Sequence, residues 1–189
     1  MKIQNANQLS GRGTGAIFFA AFGALWFFLS LYARQQLNAA SVSGVVLGLA
    51  LLILAATKLI RAAKHLPRVP DDAAMGRAFA WINAAQWVAI GIVAFAFARL
   101  HIDAYVLSAI TAIIGLHMFP LARLFRYAPH YATGTVLVAW AAASALLLPV
   151  DTMQGTTALG TGIILWASAT VTLVLAYQGA RQPDGELTC

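Results

Sequence analysis

The chain is 189 residues long, 61% hydrophobic and only 10% charged, with a mean hydropathy of +0.78. Soluble domains carry about 45–50% apolar and about 25% charged residues, so a soluble catalytic or binding domain is excluded. The formal charge of +6 would suit a polyanion, but the basic residues sit beside apolar runs, where they orient a protein in a bilayer and attract anionic lipid head groups. No nucleic-acid partner is expected.

A hydrocarbon core is crossed by roughly 20 apolar residues in a helix. The sequence offers such runs at approximately 14–33, 40–60, 78–98, 102–122, 132–150 and 157–178. The first follows Lys2 and Arg12 and is longer than the 7–15 apolar residues of a signal-peptide core, so it reads as a retained span. The second carries Gly44 and Gly48, a small face on which another helix of the chain, or of a second copy, can pack closely. The connection from about Arg61 to Gly76 contains Pro67 and Pro70, which resist helix continuation, and Asp71 or Asp72 can cap the third span.

The third span brings Asn83 and Gln86, three residues apart and therefore on one helical face, with Trp81 and Trp87 beside them. Arg99, His101 and Asp103 follow in a short turn, where a salt bridge from Arg99 to Asp103 is expected, with Asp151 as a second acid for Arg34 or Arg99. The fourth span contains His117, and Pro120 frees the carbonyl of Leu116. Tyr127 and Tyr131 suit the membrane interface with wet hydroxyls. The fifth span carries Trp140, and the sixth carries Gly160 and Trp166, with Ser168 and Thr172 expected to add hydroxyls at a depth comparable to that of Gln86. From Gln178 the tail reads as solvated. The single Cys189 excludes an internal disulfide, and its position does not match a prenylation signal.

Residues 11–65 lie over residues 76–130 at a constant offset of 65 positions. Gly11-Arg12 falls on Gly76-Arg77, Ala33-Arg34 on Ala98-Arg99, Asn38-Ala39 on Asp103-Ala104, Ser43 on Ser108, Lys58 on Arg123, Arg61 on Arg126, and His65 on His130. Matches among apolar residues mean little in such a chain, but polar matches at helix ends are informative. The expected fold is an all-α polytopic membrane protein of six transmembrane helices arranged as hairpins. It comprises one membrane domain: repeat one at 11–65, a linker at 66–75, repeat two at 76–130, a third hairpin at 131–178 and a cytoplasmic tail at 179–189. Lys58, Arg61, Lys64, Arg68, Arg77, Arg123, Arg126 and Arg181 place both termini in the cytoplasm, with a bacterial inner membrane as the expected location.

The second copy departs from the first at Asn83, Gln86 and His117, which overlie Phe18, Ala21 and Leu52. All three fall at similar depth, about 9–14 Å from the basic end at 1.5 Å per residue. Polar groups there are costly unless paired. In one reading His117 donates to Gln86 or Asn83 and locks two helices together. In another the trio lines a substrate site, with His117 available for proton exchange near neutral pH and Trp87 and Trp140 as further lining. No metal site, cofactor or catalytic set is expected: HExxH, GxSxG, P-loop and EF-hand patterns are missing, and no second intramembrane His, Cys or carboxylate completes a ligand set. The functional expectation is a small permease-like or solute-binding protein. The competing one is a non-transporting scaffold, stress or regulatory protein whose intramembrane polar residues are structural.

Overall fold

The computed structural model describes residues 5–70 and 72–181. Expectations for Lys2, Asp71, Cys189 and the tail at 182–189 lie outside the described residues. The helices are α1 (Ala6–Ala33), α2 (Ala39–Ala63), α3 (Ala73–Arg99), α4 (Val106–Leu124), α5 (Pro129–Leu147) and α6 (Val150–Arg181), with a 3-10 turn at Asp103–Tyr105 entering α4. Each is long and apolar enough to cross a bilayer, the 3-10 turn counting with α4. The protein is an all-α, six-helix, multi-pass membrane protein.

Local chemistry sets the helix boundaries. Asn5 caps α1 by accepting from the Gln8 amide at 2.9 Å. Asn38 and Ser41 form a reciprocal capping box at the start of α2. Asp72 caps α3 by accepting from the Ala74 and Met75 amides. Pro129 occupies the first turn of α5, where its missing N–H costs nothing. At the C-terminal ends of α1, α3 and α4 the chain turns through left-handed Gln35, His101 and Arg126. Each is closed by a bond from the following amide to a carbonyl five residues back: Gln36 to Leu31, Ile102 to Phe97 and Tyr127 to Ala122. The linker after α2 is strapped to the start of α1: the Ala6 amide donates to Pro67, and Asn7 bonds both polar groups of the Val69 backbone.

The helix α6 packs against α1, α2, α4, α5 and the 3-10 turn, most extensively against α1. α5 packs most extensively on α4, and α3 touches chiefly α4. Accordingly α3 has no buried residue. Two apolar clusters fill the interior, one around Phe19, Trp26, Met118, Leu137 and Leu165, the other around Leu9, Leu59 and Leu173. In lipid the contact itself must bind helices together, because the surroundings are as apolar as the core. Small residues let this happen. Gly48 lies under the Trp166 ring and Gly160 under the Trp140 ring, whereas Gly44 meets nothing. Gly115 and Gly134 bring the backbones of α4 and α5 together: a methyl group on Gly134 would stand 2.7 Å from the Gly115 carbonyl oxygen and 3.0 Å from the Met118 Cβ.

Backbone cannot step aside as a flexible side chain can. Gly134→Ala is therefore expected to force α4 and α5 apart and destabilise the protein by about 1–3 kcal/mol. Gly44→Ala, with open space around it, should be nearly silent. Melting the purified variants side by side checks both.

Candidate functional site

Hydroxyl groups of α6 recur one helical turn apart at Thr157 and Thr161, and again at Ser168 and Thr172. Each meets a polar partner on a neighbouring helix. Thr157 pairs with Ser108 of α4 at 3.3 Å, and Ser108 pairs in turn with Ser144 of α5 at 3.0 Å. Thr161 pairs with Thr111 at 2.9 Å, Ser168 with Thr133 at 2.9 Å, and the Tyr127 hydroxyl donates to Thr172 at 3.3 Å. Toward α1, the Ser30 hydroxyl donates to the Gly155 carbonyl at 2.8 Å and the Trp166 indole to the Ala20 carbonyl at 2.9 Å. Toward α2, the Tyr177 hydroxyl donates to the Ala55 carbonyl at 2.8 Å. The result is a buried polar network between helices, with α6 as its axis.

Thr111, Thr133, Thr161 and Ser168 each also stand within hydrogen-bond distance of the carbonyl four residues back in their own helices. A hydroxyl holds one proton and two lone pairs, so in each pair one member donates backward and accepts across the interface, while the other donates across it. This removes the penalty of placing hydroxyls in hydrocarbon.

The residues expected to form the site, Asn83, Gln86, His117, Trp87 and Trp140, are placed differently. Gln86 and His117 line one groove between α3 and α4, of about 350 Å³, together with Ile82, Ala85, Ala89, Ile113, Leu116 and Pro120. The groove is open at the side of the bundle and mostly apolar. Asn83 turns away to its own helix, donating to the Phe79 carbonyl at 2.9 Å. Trp87 is 57% exposed and tilts toward Phe22 of α1 at 6.5 Å. Trp140 stands at the α5–α6 interface, where its indole donates to the Thr157 carbonyl at 3.1 Å. Both ring nitrogens of His117 are buried without a hydrogen-bond partner among the described residues. The expected lock from His117 to Gln86 or Asn83 is thus not formed.

Three further expectations are corrected. Arg99 does not pair with Asp103: its guanidinium lies 5.0 Å from the centre of the Phe95 ring, while Arg34 donates to Thr156 at 3.0 Å. Stacking and a neutral acceptor satisfy these cations at the helix ends. Tyr127 is only 5% exposed, with its hydroxyl committed to Thr172. Ser168 and Thr172 face Thr133 and Tyr127 and contribute nothing to the groove.

What residue-type reasoning missed is the set Ser108, Thr111, Ser144, Thr157 and Thr161. Their signal was present as hydroxyls one turn apart in otherwise apolar spans. With the geometry in place, the chain matches no protein-family model, no curated protein and no solved structure.

Opposite effects are expected from removing a satisfied and an unsatisfied polar group. Thr161→Val should destabilise by about 0.6–2 kcal/mol, and much less when Thr111 is already Val. His117→Leu, which restores the residue found at the equivalent place in the first copy, should be neutral or stabilising by up to about 1–3 kcal/mol, because buried nitrogens without partners disappear. A double-mutant cycle and thermal melts in detergent check the pair of statements.

Proposed function

We propose that this is a non-transporting membrane protein of scaffold or regulatory type, whose intramembrane polar residues hold the helices in register. The observation that carries this reading is the pairing of the α6 hydroxyls. Thr157, Thr161, Ser168 and Thr172 are each spent on a neighbouring helix. A solute pathway needs polar groups turned toward passing cargo, and these are turned toward one another. The outer faces of α2 and α3, left to the bilayer, are the surfaces on which such a protein would meet lipid or a second membrane protein, including another copy of itself.

The positive-inside distribution supports cytoplasmic termini and a bacterial inner membrane, with the basic connections drawing anionic head groups. Duplication of the α1–α2 hairpin into α3–α4 is part of the same proposal. It is supported by the 65-residue offset and by Asn38 and Asp103, which open the returning helix in each copy.

A dry interior is directly testable, because Cys189 is the chain's one thiol. In a Cys189→Ser background, Thr161→Cys should resist a membrane-impermeant maleimide from both sides until the protein is denatured. Arg126→Cys, at an exposed connection, should label in the native state, and only from the cytoplasmic side. Labelling of native Thr161→Cys would mean that water reaches the core, and the non-transporting reading would fail.

One observation favours a second reading. Gln86 and His117 line the same groove, and His117 keeps both nitrogens unspent. On that reading the groove binds a small solute, with Asn83, Trp87 and Trp140 outside its first ring of contacts. A small molecule that raises the melting temperature of the wild type but not of His117→Leu would establish it, since preferential binding to the folded state raises stability.

A further inference from the structure

The end of the bundle that carries the start of α1 holds a second polar cluster, which adjoins the α6 network at Tyr127. Arg12 of α1 folds inward. Its guanidinium carbon lies 5.2 Å from the centre of the Tyr127 ring, and its NH1 nitrogen is buried with no hydrogen-bond partner among the described residues. His130, in the first turn of α5, stands edge-on to Tyr127 at 4.9 Å and to Phe19 at 5.6 Å. Its Nδ1 is likewise buried and unpartnered. The Tyr127 hydroxyl is already donated to Thr172, so it answers neither neighbour.

What this cluster lacks is an acceptor with negative charge. Among the described residues the carboxylates are Asp72, Asp103 and Asp151. Asp72 is engaged with the amides that open α3, and Asp103 and Asp151 belong to the opposite ends of α4 and α6. A guanidinium drawn off the surface toward the Tyr127 ring is therefore left without a counter-ion among the described residues. Buried charges are ordinarily paired. A metal cation is the wrong partner, because Arg12 would repel it and no group of three His, Cys, Asp or Glu side chains is assembled among the described residues.

The internal repeat supplies a comparison within the molecule. Arg77 and His65 are the counterparts of Arg12 and His130, and both are exposed. The same residue types thus stand on the surface in one setting and pack partly buried on one tyrosine ring in the other. Covering a cation and an imidazole costs solvation that surface placement avoids, so the covered pair is the one that calls for an explanation.

We propose that Arg12 and His130 form a binding site for a phosphate group, carried on a lipid head group or free as inorganic phosphate. The guanidinium offers a fork of N–H donors matched to phosphate oxygens, and the His130 ring offers one more. His130 lies in the first turn of α5, at the level of the bundle end, where head groups meet a membrane protein. The site does not depend on whether the protein is a scaffold or a solute binder.

The test uses the full chain in detergent, at fixed pH and matched ionic strength. Native mass spectrometry counts bound phosphatidylglycerol against phosphatidylcholine, and thermal melts follow titration with inorganic phosphate against chloride. The expected result is saturable phosphatidylglycerol or phosphate binding that weakens at least tenfold in Arg12→Gln. Arg12→Lys should be intermediate, and Arg77→Gln should match the wild type. His130→Phe preserves the edge-on ring contacts while removing the donor, and should lose binding too; it carries the result if Arg12→Gln fails to fold. Competition by inorganic phosphate identifies the free ion as a ligand, and retention of phosphatidylglycerol alone identifies the lipid. The proposal is overturned if phosphate and phosphatidylglycerol do no more than chloride and phosphatidylcholine. It is equally overturned if Arg77→Gln weakens binding as much as Arg12→Gln, since the attraction would then be diffuse.

Discussion

A helix that several others pack against inside a bilayer has no solvent face on which to leave its polar atoms, and α6 is such a helix, with apolar Ile163, Val171 and Val174 on its outward side. Everything it presents must be small, apolar or hydrogen-bonded. Its residues meet that demand with Gly155, Gly160 and Gly162 where neighbours approach closely, and with threonine and serine where a neighbouring hydroxyl or carbonyl stands opposite. The remaining helices take their places from this one. α1 is held by Ser30 and Trp166, α2 by Tyr177, and α4 and α5 by the hydroxyl pairs. α3 reaches the bundle mainly through α4. Single bonds of this type contribute only about 0.6 kcal/mol on average in membrane proteins, so their effect here lies as much in fixing register as in adding stability.

The contrast between satisfied and unsatisfied groups gives the protein two kinds of polar site. Where hydroxyls pair, nothing is left to offer a ligand. Where nitrogens are buried and unspent, at Arg12, His117 and His130, the fold carries a cost that packing alone does not require. All three belong to the half of the bundle nearer the basic end. Leu52, 65 positions before His117, is apolar, and His65, 65 positions before His130, is exposed. The chain therefore has a route to a cheaper arrangement and does not take it. This is the physical ground for treating the cluster as functional.

Much of the architecture is legible in residue order. Apolar runs of spanning length, Asn38 and Asp72 as caps, and the prolines between α2 and α3 are local signals, and local hydrogen bonds answer them. The candidate site is less legible. Asn83, Gln86 and His117 share a depth, but depth does not fix the angle at which a side chain leaves its helix. Asn83 satisfies itself on the Phe79 carbonyl, and only Gln86 and His117 turn to the same groove. Trp140 has a suitable depth as well and faces a different helix altogether.

Composition and periodicity by themselves determined that this is a multi-pass helical membrane protein, because the bilayer imposes length and apolarity on every span regardless of its neighbours. Tertiary structure alone decided which helix is central and which polar groups are paired. Arg12 and Arg77 stand 65 positions apart, as do His65 and His130, yet Arg12 and His130 both pack on the Tyr127 ring while Arg77 and His65 remain exposed. These residues diverge in this way because burial is a property of what packs against a helix, and α6 packs closely against α1 and α5 but not against α3.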